Sequence, residues 1–363
     1  MINKQIHHPQ RLLVTGAAGF IGSNFIHYWL KTYCESNIIA LDSLTYAGNL
    51  RNLPDDNQSL EFIHADICNT DTIEKILSDQ CIDTIVHFAA ETHVDRSIRN
   101  PDKFINTNIV GTHSLLKAAK HVWLDNSKLP TAHRFQHIST DEVYGSLDFN
   151  EPAFKENTPY APSSPYAASK AAADHLVSSY QNTYQLNTVI SVCSNNYGPY
   201  QYPEKLIPLT LVNILHGKPI PIYGHGLNVR DWLYVDDHCR GIDLCIKRGR
   251  EGETYNIGGG EEHSNINIVI MLCKVIDELF SRKPEMKLQY RECPAAKNIA
   301  CKSLITYVTN RPGHDNRYAI NETKIQQELG HNPKQDFTSG IQKTIQWYLN
   351  NSNWWQAILS DNH

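Results

Sequence analysis

The sequence lacks the features that mark several large classes of protein. Its 363 residues carry a formal net charge of −5 at pH 7, so the basic excess typical of nucleic-acid-binding proteins is missing. No uninterrupted apolar run is long enough to cross a bilayer, and residues 1–11 have no apolar core of the kind found in secretion signals. We therefore expect a globular protein that binds neither nucleic acid nor membrane.

Cysteine and histidine are present, but not in the spacings that build disulfide frameworks or metal sites. The nine cysteines are scattered, odd in number and without a C-x-x-C pair, which favours a reducing compartment. The eighteen histidines include no H-E-x-x-H motif. These patterns predict a cytoplasmic protein without a metal site.

The first apolar run, residues 11–15, ends in a glycine-rich turn before a helical stretch. Gly16, Gly19 and Gly22 form a G-x-x-G-x-x-G pattern, and glycine lets the backbone approach a pyrophosphate at a helix N-terminus. Asp42 ends the second run, twenty residues after Gly22, where an acidic side chain would accept hydrogen bonds from an adenosine ribose. This pattern favours NAD as cofactor, the alternative being that Asp42 only begins a turn.

Three further apolar runs, at residues 60–64, 84–88 and 134–138, each end in a polar cluster. Strands that alternate with helical stretches predict an α/β fold with a doubly wound, parallel, Rossmann-type sheet. Ligands bind at the carboxyl ends of the strands in such sheets. The polar clusters are therefore expected to share one site.

The segment Ser164-Pro165-Tyr166-Ala167-Ala168-Ser169-Lys170 predicts a helix that begins at Pro165 and is capped by Ser163 or Ser164. Tyr166 and Lys170 would leave the same face of this helix, one turn apart. An ammonium beside a phenol stabilises the phenolate, so Tyr166 could act as a base. The alternative is an ordinary surface helix.

Thr140-Asp141-Glu142 places two carboxylates and a hydroxyl at a predicted strand end. Two carboxylates in one cleft tend to have separated pKa values, so that one can serve as an acid and the other as a base. The alternative is a helix cap followed by first-turn acids, which suit the helix dipole.

Taken together, these motifs resemble the extended short-chain dehydrogenase/reductases, and most closely the dTDP-glucose 4,6-dehydratase family. The matching segments reach from near residue 11 to about residue 320: residues 15–22, 44–49, 89–97, 139–145, 164–170, 195–201, 203–208, 228–232 and 311–315. The Asp-Glu pair after Thr140 is the part that separates 4,6-dehydratases from epimerases of the same fold.

The resemblance implies an NAD-dependent lyase that converts dTDP-glucose to dTDP-4-keto-6-deoxyglucose. The sugar would be oxidised at carbon 4, lose water across carbons 5 and 6, and regain the hydride at carbon 6. Tyr166, with Lys170 and Thr140, would take the proton from the hydroxyl at carbon 4. Glu142 would take the proton from carbon 5, and Asp141 would protonate the departing hydroxyl at carbon 6.

The resemblance also implies two sets of binding residues. The residues that would hold NAD are Gly16, Gly19, Phe20, Ile21, Gly22, Asp42, Ser43, Leu44, Thr45, Asp66, Ile67, Phe88, Ala89, Ala90, Thr92, Thr107, Tyr166, Lys170 and Asn196. The residues that would hold the sugar nucleotide are Thr92, Thr140, Asn195, Lys205, Leu206, Pro221, Ile222, Tyr223, Arg230, Asn265, Arg311, His314 and Tyr318. Within the second set, Lys205, Arg230 and Arg311 would surround the diphosphate, and Tyr223 would stack on the base.

We expect two domains. Residues 1–200 with about 232–259 would form the NAD-binding domain, and about 201–231 with 260–363 a smaller α/β substrate-binding domain. The density of proline and glycine between residues 198 and 226 predicts loops there. By resemblance we expect a homodimer formed through residues 101–123 and 166–184. Residues 292–303 match no known segment.

Three alternatives remain open: a 4,6-dehydratase acting on another nucleotide sugar, a 4-epimerase, and a non-catalytic dinucleotide sensor. An epimerase needs no acid for a leaving hydroxyl, so Asp141 and Glu142 disfavour it, while the Tyr-Lys pair disfavours a sensor. Thr92 stands where the family usually has Ser, and His225 and Asn310 stand where it usually has Asp. The last two bear on which base is recognised.

Overall fold

The computed structural model describes residues 6–55, 57–126 and 132–360. Its twelve strands in the described part are β1 Arg11–Thr15, β2 Asn37–Asp42, β3 Leu60–His64, β4 Thr84–His87, β5 Arg134–Thr140, β6 Thr188–Cys193, β7 Asn195–Tyr197, β8 Ile220–Tyr223, β9 Val229–Tyr234, β10 Thr254–Ile257, β11 Glu262–Ser264 and β12 Ile305–Val308.

The helices of the described residues lie between these strands. They are α1 Phe20–Thr32, α2 Thr70–Asp79, α3 Val94–Arg99, α4 Asp102–Phe104, α5 Thr112–Lys120, α6 Pro165–Tyr184, α7 Leu206–Leu215, α8 Val235–Arg248, α9 Asn265–Arg282, α10 Met286–Gln289, α11 Thr323–Leu329, α12 Phe337–Asn350 and α13 Ser352–Ser360. Two π-helical segments, Ile105–Gly111 and His121–Asp125, flank α5. None of the described helices is long and apolar enough to span a membrane.

The main sheet has seven parallel strands in the order β10-β6-β5-β4-β1-β2-β3. The order reverses direction at β1, where Val14 pairs with Ala40 of β2 on one side and with Val86 of β4 on the other. Apolar cores cover both faces: one packs α2, α5 and α6 on the sheet, and the other packs α1 and α8. This confirms the predicted doubly wound Rossmann-type fold, whose ligands bind at the point of reversal.

A third apolar core lies outside the main sheet. It joins α7, α9, α12 and α13 to a three-stranded sheet, β11-β9-β7, and to the parallel pair β12-β8. The predicted domain boundaries remain a prediction. Tyr197 and Trp232, assigned to the NAD-binding domain, pack in this third core, whereas Ile325 and Leu329 of the second domain pack against the main sheet.

Two expectations about the second half of the chain are revised. The loop expected between residues 198 and 226 contains helix α7 and strand β8, because the apolar run of α7 is buried at seven of its ten positions. Pro208 lies in the first turn of α7, where proline is tolerated. The unmatched segment 292–303 forms two short 3₁₀ helices, Pro294–Lys297 and Cys301–Leu304, and buries Cys293 and Cys301 with their Sγ atoms 3.9 Å apart.

The amino ends of the strands are fastened by a separate polar network. The carboxylate of Asp83 accepts hydrogen bonds from the backbone N–H groups of Gln10 (2.9 Å), just before β1, and of Arg11 (3.1 Å), its first residue. Arg134, at the start of β5, donates from Nη1 to the carbonyls of Cys245 (3.1 Å) and Ile246 (2.7 Å) at the end of α8. The two Asp83 bonds are partly buried and the two Arg134 bonds are buried. They tie the start of β1 to the residue before β4, and the start of β5 to α8, at the edge opposite the carboxyl ends.

Candidate active site

A cleft of about 350 Å³ opens at the carboxyl ends of β1, β2, β4, β5 and β6. This volume is within the range of small-molecule sites. Its walls come from the loops that follow these strands and from the first turns of α1 and α6. The polar clusters that the sequence places after separate strands therefore do meet at one site.

The glycine-rich turn forms one wall of the cleft. Gly16 has a left-handed φ of +66°, and a Cβ there would lie 2.6 Å from the backbone nitrogen of Ala89. A Cβ on Gly22 would lie 2.3 Å from the carbonyl oxygen of Gly16. Only glycine fits these two positions, which keeps the start of α1 free of side chains and open to a phosphate.

Asp42 is 7% exposed and lies in the cleft wall at the end of β2. Its Oδ2 accepts a hydrogen bond from the backbone of Ala18 (3.0 Å) and its Oδ1 from that of Leu44 (2.8 Å). Burial raises the pKa of Asp42, while these two bonds lower it. The carboxylate thus organises the turn, as the simpler alternative proposed, and each oxygen keeps a second lone pair for a ligand hydroxyl.

Tyr166 and Lys170 lie on the buried face of α6, 7% and 4% exposed. Ser164 is the N-cap of this helix, since its Oγ accepts a hydrogen bond from the backbone of Ala167 (3.1 Å). Lys170 Nζ donates to the carbonyl oxygen of Ile138 (2.7 Å), which fixes the ammonium against β5. The phenol and the amine therefore both face the cleft, as predicted.

The pKa of the Tyr166 phenol differs from the sequence-based expectation. Burial and the carboxylate of Glu142 raise this pKa well above its ordinary value, although a hydrogen bond with Thr140 lowers it. Burial also lowers the pKa of Lys170, whose charge is supported by Asp174. Burial is the largest influence on the pKa of Tyr166, and the net shift is upward, opposite to the direction expected from the Lys170 ammonium.

Asp141 and Glu142 differ in the charges around them, although burial raises the pKa of both and Arg230 lowers the pKa of both. Burial raises the pKa of Asp141 well above its ordinary value, and the carboxylates of Glu142 and Asp231 raise it further. Burial also raises the pKa of Glu142, but the cations Arg230, Lys205 and Arg311 lower it. Asp141 therefore favours the protonated form and Glu142 is the better stabilised as an anion.

The backbone explains how the two carboxylates reach the cleft. The segment Asp141–Tyr144 forms a 3₁₀ turn, whose N-cap is Thr140 with its Oγ1 accepting from the backbone of Glu142 (3.4 Å). The capping alternative is thus also correct. Asp141 Oδ2 is buried without a hydrogen-bond partner in the described part of the chain, and such an atom is costly unless a ligand satisfies it.

Among the residues predicted to bind NAD, all but one line this cleft. They are Gly16, Gly19, Phe20, Ile21, Gly22, Asp42, Ser43, Thr45, Asp66, Ile67, Phe88, Ala89, Ala90, Thr92, Thr107, Tyr166, Lys170 and Asn196. Leu44 does not line it. Its left-handed φ of +50° turns the loop, and its backbone holds Asp42.

The residues predicted to bind the sugar nucleotide are more scattered. Thr92, Thr140, Asn195 and Lys205 line the cleft. Around Asp95 lie Tyr223, whose hydroxyl donates to Oδ2 (3.1 Å), and Arg311, whose Nη1 donates to Oδ1 (3.4 Å).

The remaining members of that set lie around these groups or in the core. His314 packs edge-on against Tyr223 at 6.1 Å between ring centroids, and the Arg230 guanidinium lies 4.2 Å from the centroid of the Tyr318 ring. Leu206 and Asn265 begin α7 and α9. On β8, Pro221 and Tyr223 are exposed but Ile222 is 2% exposed in the third core, because successive strand residues face opposite sides.

Several residues of the cleft wall were not predicted from the sequence. Those with polar side chains are Tyr46, Glu91, Ser139, Ser194, Gln201, Tyr202 and Glu204. Each lies within a few residues of a predicted site residue, at or after the end of a strand. Five of them, Tyr46, Glu91, Ser139, Gln201 and Glu204, also fall in the segments that match the family, which was the available signal.

The comparisons with known proteins agree with this geometry. The family model described as GDP-mannose 4,6 dehydratase matches residues 13–344. The dTDP-glucose 4,6-dehydratase of Escherichia coli is 48% identical over 364 residues, covering 97% of each chain. The chain belongs to the dTDP-glucose 4,6-dehydratase family.

Solved structures of family members carry ligands. DesIV, the dTDP-glucose 4,6-dehydratase of Streptomyces venezuelae, was crystallised with NAD and TDP; it is 43% identical, with a TM-score of 0.85 over 96% of this chain and 100% of its own. The dTDP-glucose 4,6-dehydratase of Bacillus anthracis was crystallised with NAD. It is 44% identical to this chain with a TM-score of 0.82, and the match covers 96% of this chain and 99% of the other. The bare glycine turn and the free lone pairs of Asp42 fit such a dinucleotide.

Proposed function

We propose that this enzyme catalyses the NAD-dependent dehydration of dTDP-glucose to dTDP-4-keto-6-deoxyglucose. The observation that carries this proposal is geometric: Asp141 and Glu142 line the same cleft as Tyr166 and Lys170, and the buried Oδ2 of Asp141 has no hydrogen-bond partner among the described residues. Burial raises the pKa of both carboxyls, and the cations Arg230, Lys205 and Arg311 offset the rise at Glu142. Both reactions need a base for the hydroxyl at carbon 4. A dehydratase also needs a second base for carbon 5 and an acid for the hydroxyl at carbon 6, and a 4-epimerase does not.

The cofactor would bind along the wall made by the glycine turn, Asp42 and Asn196. Asp42 would accept hydrogen bonds from the adenosine ribose, and the start of α1 would face the pyrophosphate. Bound NAD⁺ supplies a two-electron acceptor that is restored in each cycle, and a positively charged nicotinamide ring. Tyr166 lines the same cleft, so a positive charge bound there would lower the pKa of its phenol, which burial otherwise raises.

Tyr166 would accept the proton from the hydroxyl at carbon 4. Thr140 already forms a hydrogen bond with the phenol, which lowers its pKa. Lys170, fixed by the carbonyl of Ile138 at 2.7 Å, keeps a positive charge on the same helix face. The three side chains act together as the base for the first proton transfer.

A ketone at carbon 4 makes the hydrogen on carbon 5 acidic, and the two carboxylates then act in sequence. Glu142 removes the proton from carbon 5, for which it must be ionised. Asp141 gives its proton to the hydroxyl leaving carbon 6, because hydroxide alone is a poor leaving group. The unpaired Oδ2 of Asp141 is available for that contact.

Lys205, Arg230 and Arg311 would neutralise the diphosphate of the sugar nucleotide. The Nη atoms of Arg230 are held by the carbonyls of Val229 (2.7 Å) and Asp315 (3.0 Å), so its position is set before substrate binds. Tyr223 is exposed on β8 and would stack on the base. The same cations stabilise ionised Glu142, which links substrate binding to the base.

Turnover with a panel of nucleotide sugars tests the proposed reaction. Incubation with dTDP-glucose is expected to give a 4-keto-6-deoxy sugar, detected by its absorbance in alkali and by mass. UDP-glucose and GDP-mannose serve as comparison substrates. Preference for one of them would make the enzyme a dehydratase of another nucleotide sugar, and epimerised product without loss of water would overturn the proposal.

Asp141→Asn is expected to slow loss of water about 100-fold or more, since a positioned acid contributes about that factor. Oxidation at carbon 4 should be largely unaffected, so the 4-keto hexose should accumulate. Trapping with borodeuteride followed by mass spectrometry measures it. Asp148→Asn, an exposed aspartate in the same loop region, is the matched control. Equal loss of both steps in a folded Asp141→Asn protein would contradict the assigned role.

We further propose that the enzyme is a homodimer through the helices of residues 101–123 and 166–184. Ile98, Ile105, Val110 and Tyr184 are exposed on or beside these helices, and large apolar side chains there favour contact with a second copy. Light scattering after size exclusion should give twice the chain mass of 41.3 kDa. A monomer at micromolar concentration would refute the proposal, and Ile105→Glu should shift a true dimer toward monomer.

A cytoplasmic location is proposed from the thiols. All nine cysteines are free, and Cys34 and Cys81 are exposed, as expected in a reducing compartment. A membrane-impermeant thiol reagent applied to intact cells should leave both unlabelled, but should label them after lysis. Labelling in intact cells would place the protein outside the cytoplasm.

A further inference from the structure

Four side chains from three separate segments meet at the edge of the cleft, and we call this group the latch: Tyr46, His93, Arg96 and Glu204. Tyr46 follows β2, His93 and Arg96 follow β4, and Glu204 lies between β7 and α7. Tyr46 and Glu204 are 158 residues apart in the chain. The latch therefore bridges the dinucleotide side of the cleft and the substrate side.

The hydrogen bonds and ion pairs of the latch converge on the Glu204 carboxylate. The Tyr46 hydroxyl donates to Oε1 (2.8 Å), and Arg96 Nη2 donates to Oε2 (3.1 Å). His93 Nε2 lies 3.6 Å from the same Oε2. The Arg96 guanidinium also lies over the Tyr46 ring, 3.6 Å from its centroid. The latch is therefore a network of four side chains and not a single surface ion pair.

Two neighbours of Glu204 in the chain, Tyr202 and Lys205, also contact the segments that follow β2 and β4. Lys205 Nζ donates to the carbonyl oxygen of Thr92 (3.1 Å), and Tyr202 packs edge-on against Tyr46 with 5.6 Å between ring centroids. Residues 202, 204 and 205 therefore all touch the loops after β2 and β4. The bridge is a continuous strip of contacts along one segment.

The strip forms part of the wall that encloses the cofactor cleft. Tyr46, Thr92, Tyr202, Glu204 and Lys205 all line it. The Glu204 side chain is 14% exposed and that of Arg96 is 47% exposed, so the carboxylate faces inward while the guanidinium borders water. Burial and the Glu204 carboxylate raise the pKa of the Tyr46 phenol, which keeps its proton for the hydrogen bond.

We infer that Glu204 is a positioning residue that holds the latch shut over the bound dinucleotide and slows its release. The inference rests on the NAD-dependent function proposed above, and it concerns retention of the cofactor, not the chemical steps. A reaction that restores its cofactor in each cycle gains from keeping the same molecule bound. The latch retains the dinucleotide through contacts between protein side chains, in addition to any contacts of the protein with the dinucleotide.

A chase experiment on the full-length protein tests the latch. The protein is loaded with radiolabelled NAD⁺, mixed with excess unlabelled NAD⁺, and the bound label is followed over time. Glu204→Ala is expected to release label at least about tenfold faster than the parent, because it removes hydrogen bonds to a charged group. Tyr46→Phe, which removes one hydroxyl, and Glu204→Gln, which keeps the shape without the charge, should give intermediate rates.

Glu61→Gln is the matched control, since Glu61 is exposed on β3 outside the cleft wall, and it should release label at the parental rate. The double variant Tyr46→Phe/Glu204→Gln should be less than multiplicative, because both changes break the same contact. Release within about twofold of the parent in folded Glu204→Ala and Tyr46→Phe would overturn the inference. If Glu204→Ala does not fold, Tyr46→Phe and Glu204→Gln decide. A parent protein that binds no NAD⁺ would instead overturn the proposed function.

Discussion

Burial of ionisable groups at one edge of a parallel sheet is the constraint on which the rest of this protein depends. A parallel sheet brings the carboxyl ends of all its strands together, and here those ends carry Asp42, Asp141, Glu142 and, on the adjoining helix, Lys170. Each charge removed from water needs a partner or must become neutral. Burial raises the pKa of both Asp141 and Glu142, but three cations, Arg230, Lys205 and Arg311, offset the rise at Glu142, whereas the carboxylates of Glu142 and Asp231 add to it at Asp141.

This arrangement explains how one scaffold can serve different reactions. The glycine turn, Asp42 and the Tyr166-Lys170 pair suit oxidation of a sugar hydroxyl, which epimerases and dehydratases share. What would distinguish a dehydratase is local to the 3₁₀ turn after β5, where the adjacent carboxyls of Asp141 and Glu142 line the cleft. Fold alone would not separate these activities, because the same sheet hosts many of them.

Much of the site could be predicted from the sequence because its motifs are local. The spacing of Gly16, Gly19 and Gly22, the helix with Tyr166 and Lys170, and the polar clusters after strands each occupy a few consecutive residues. Contacts between distant residues left no such signal: nothing in the sequence pairs Tyr46 with Glu204, or Tyr223 with Asp95.

Local signals also failed where burial overrode composition. The density of proline and glycine between residues 198 and 226 predicted loops where the structure has α7, whose apolar side chains are buried. The burial of Ile222 depends on how β8 pairs with β12. The pKa of Tyr166 depends on how deeply the cleft is buried, which no sequence spacing reveals.

The hydrogen bonds at the amino ends of the strands lie far from the cleft, which matters for which substitutions the protein can accept. Asp83 and Arg134 hold β1, β4, β5 and α8 together at the edge that faces away from the cleft. These bonds and the site residues therefore lie at opposite edges of one sheet. Substitutions at Asp83 or Arg134 can change the stability of the fold without replacing any side chain that lines the cleft.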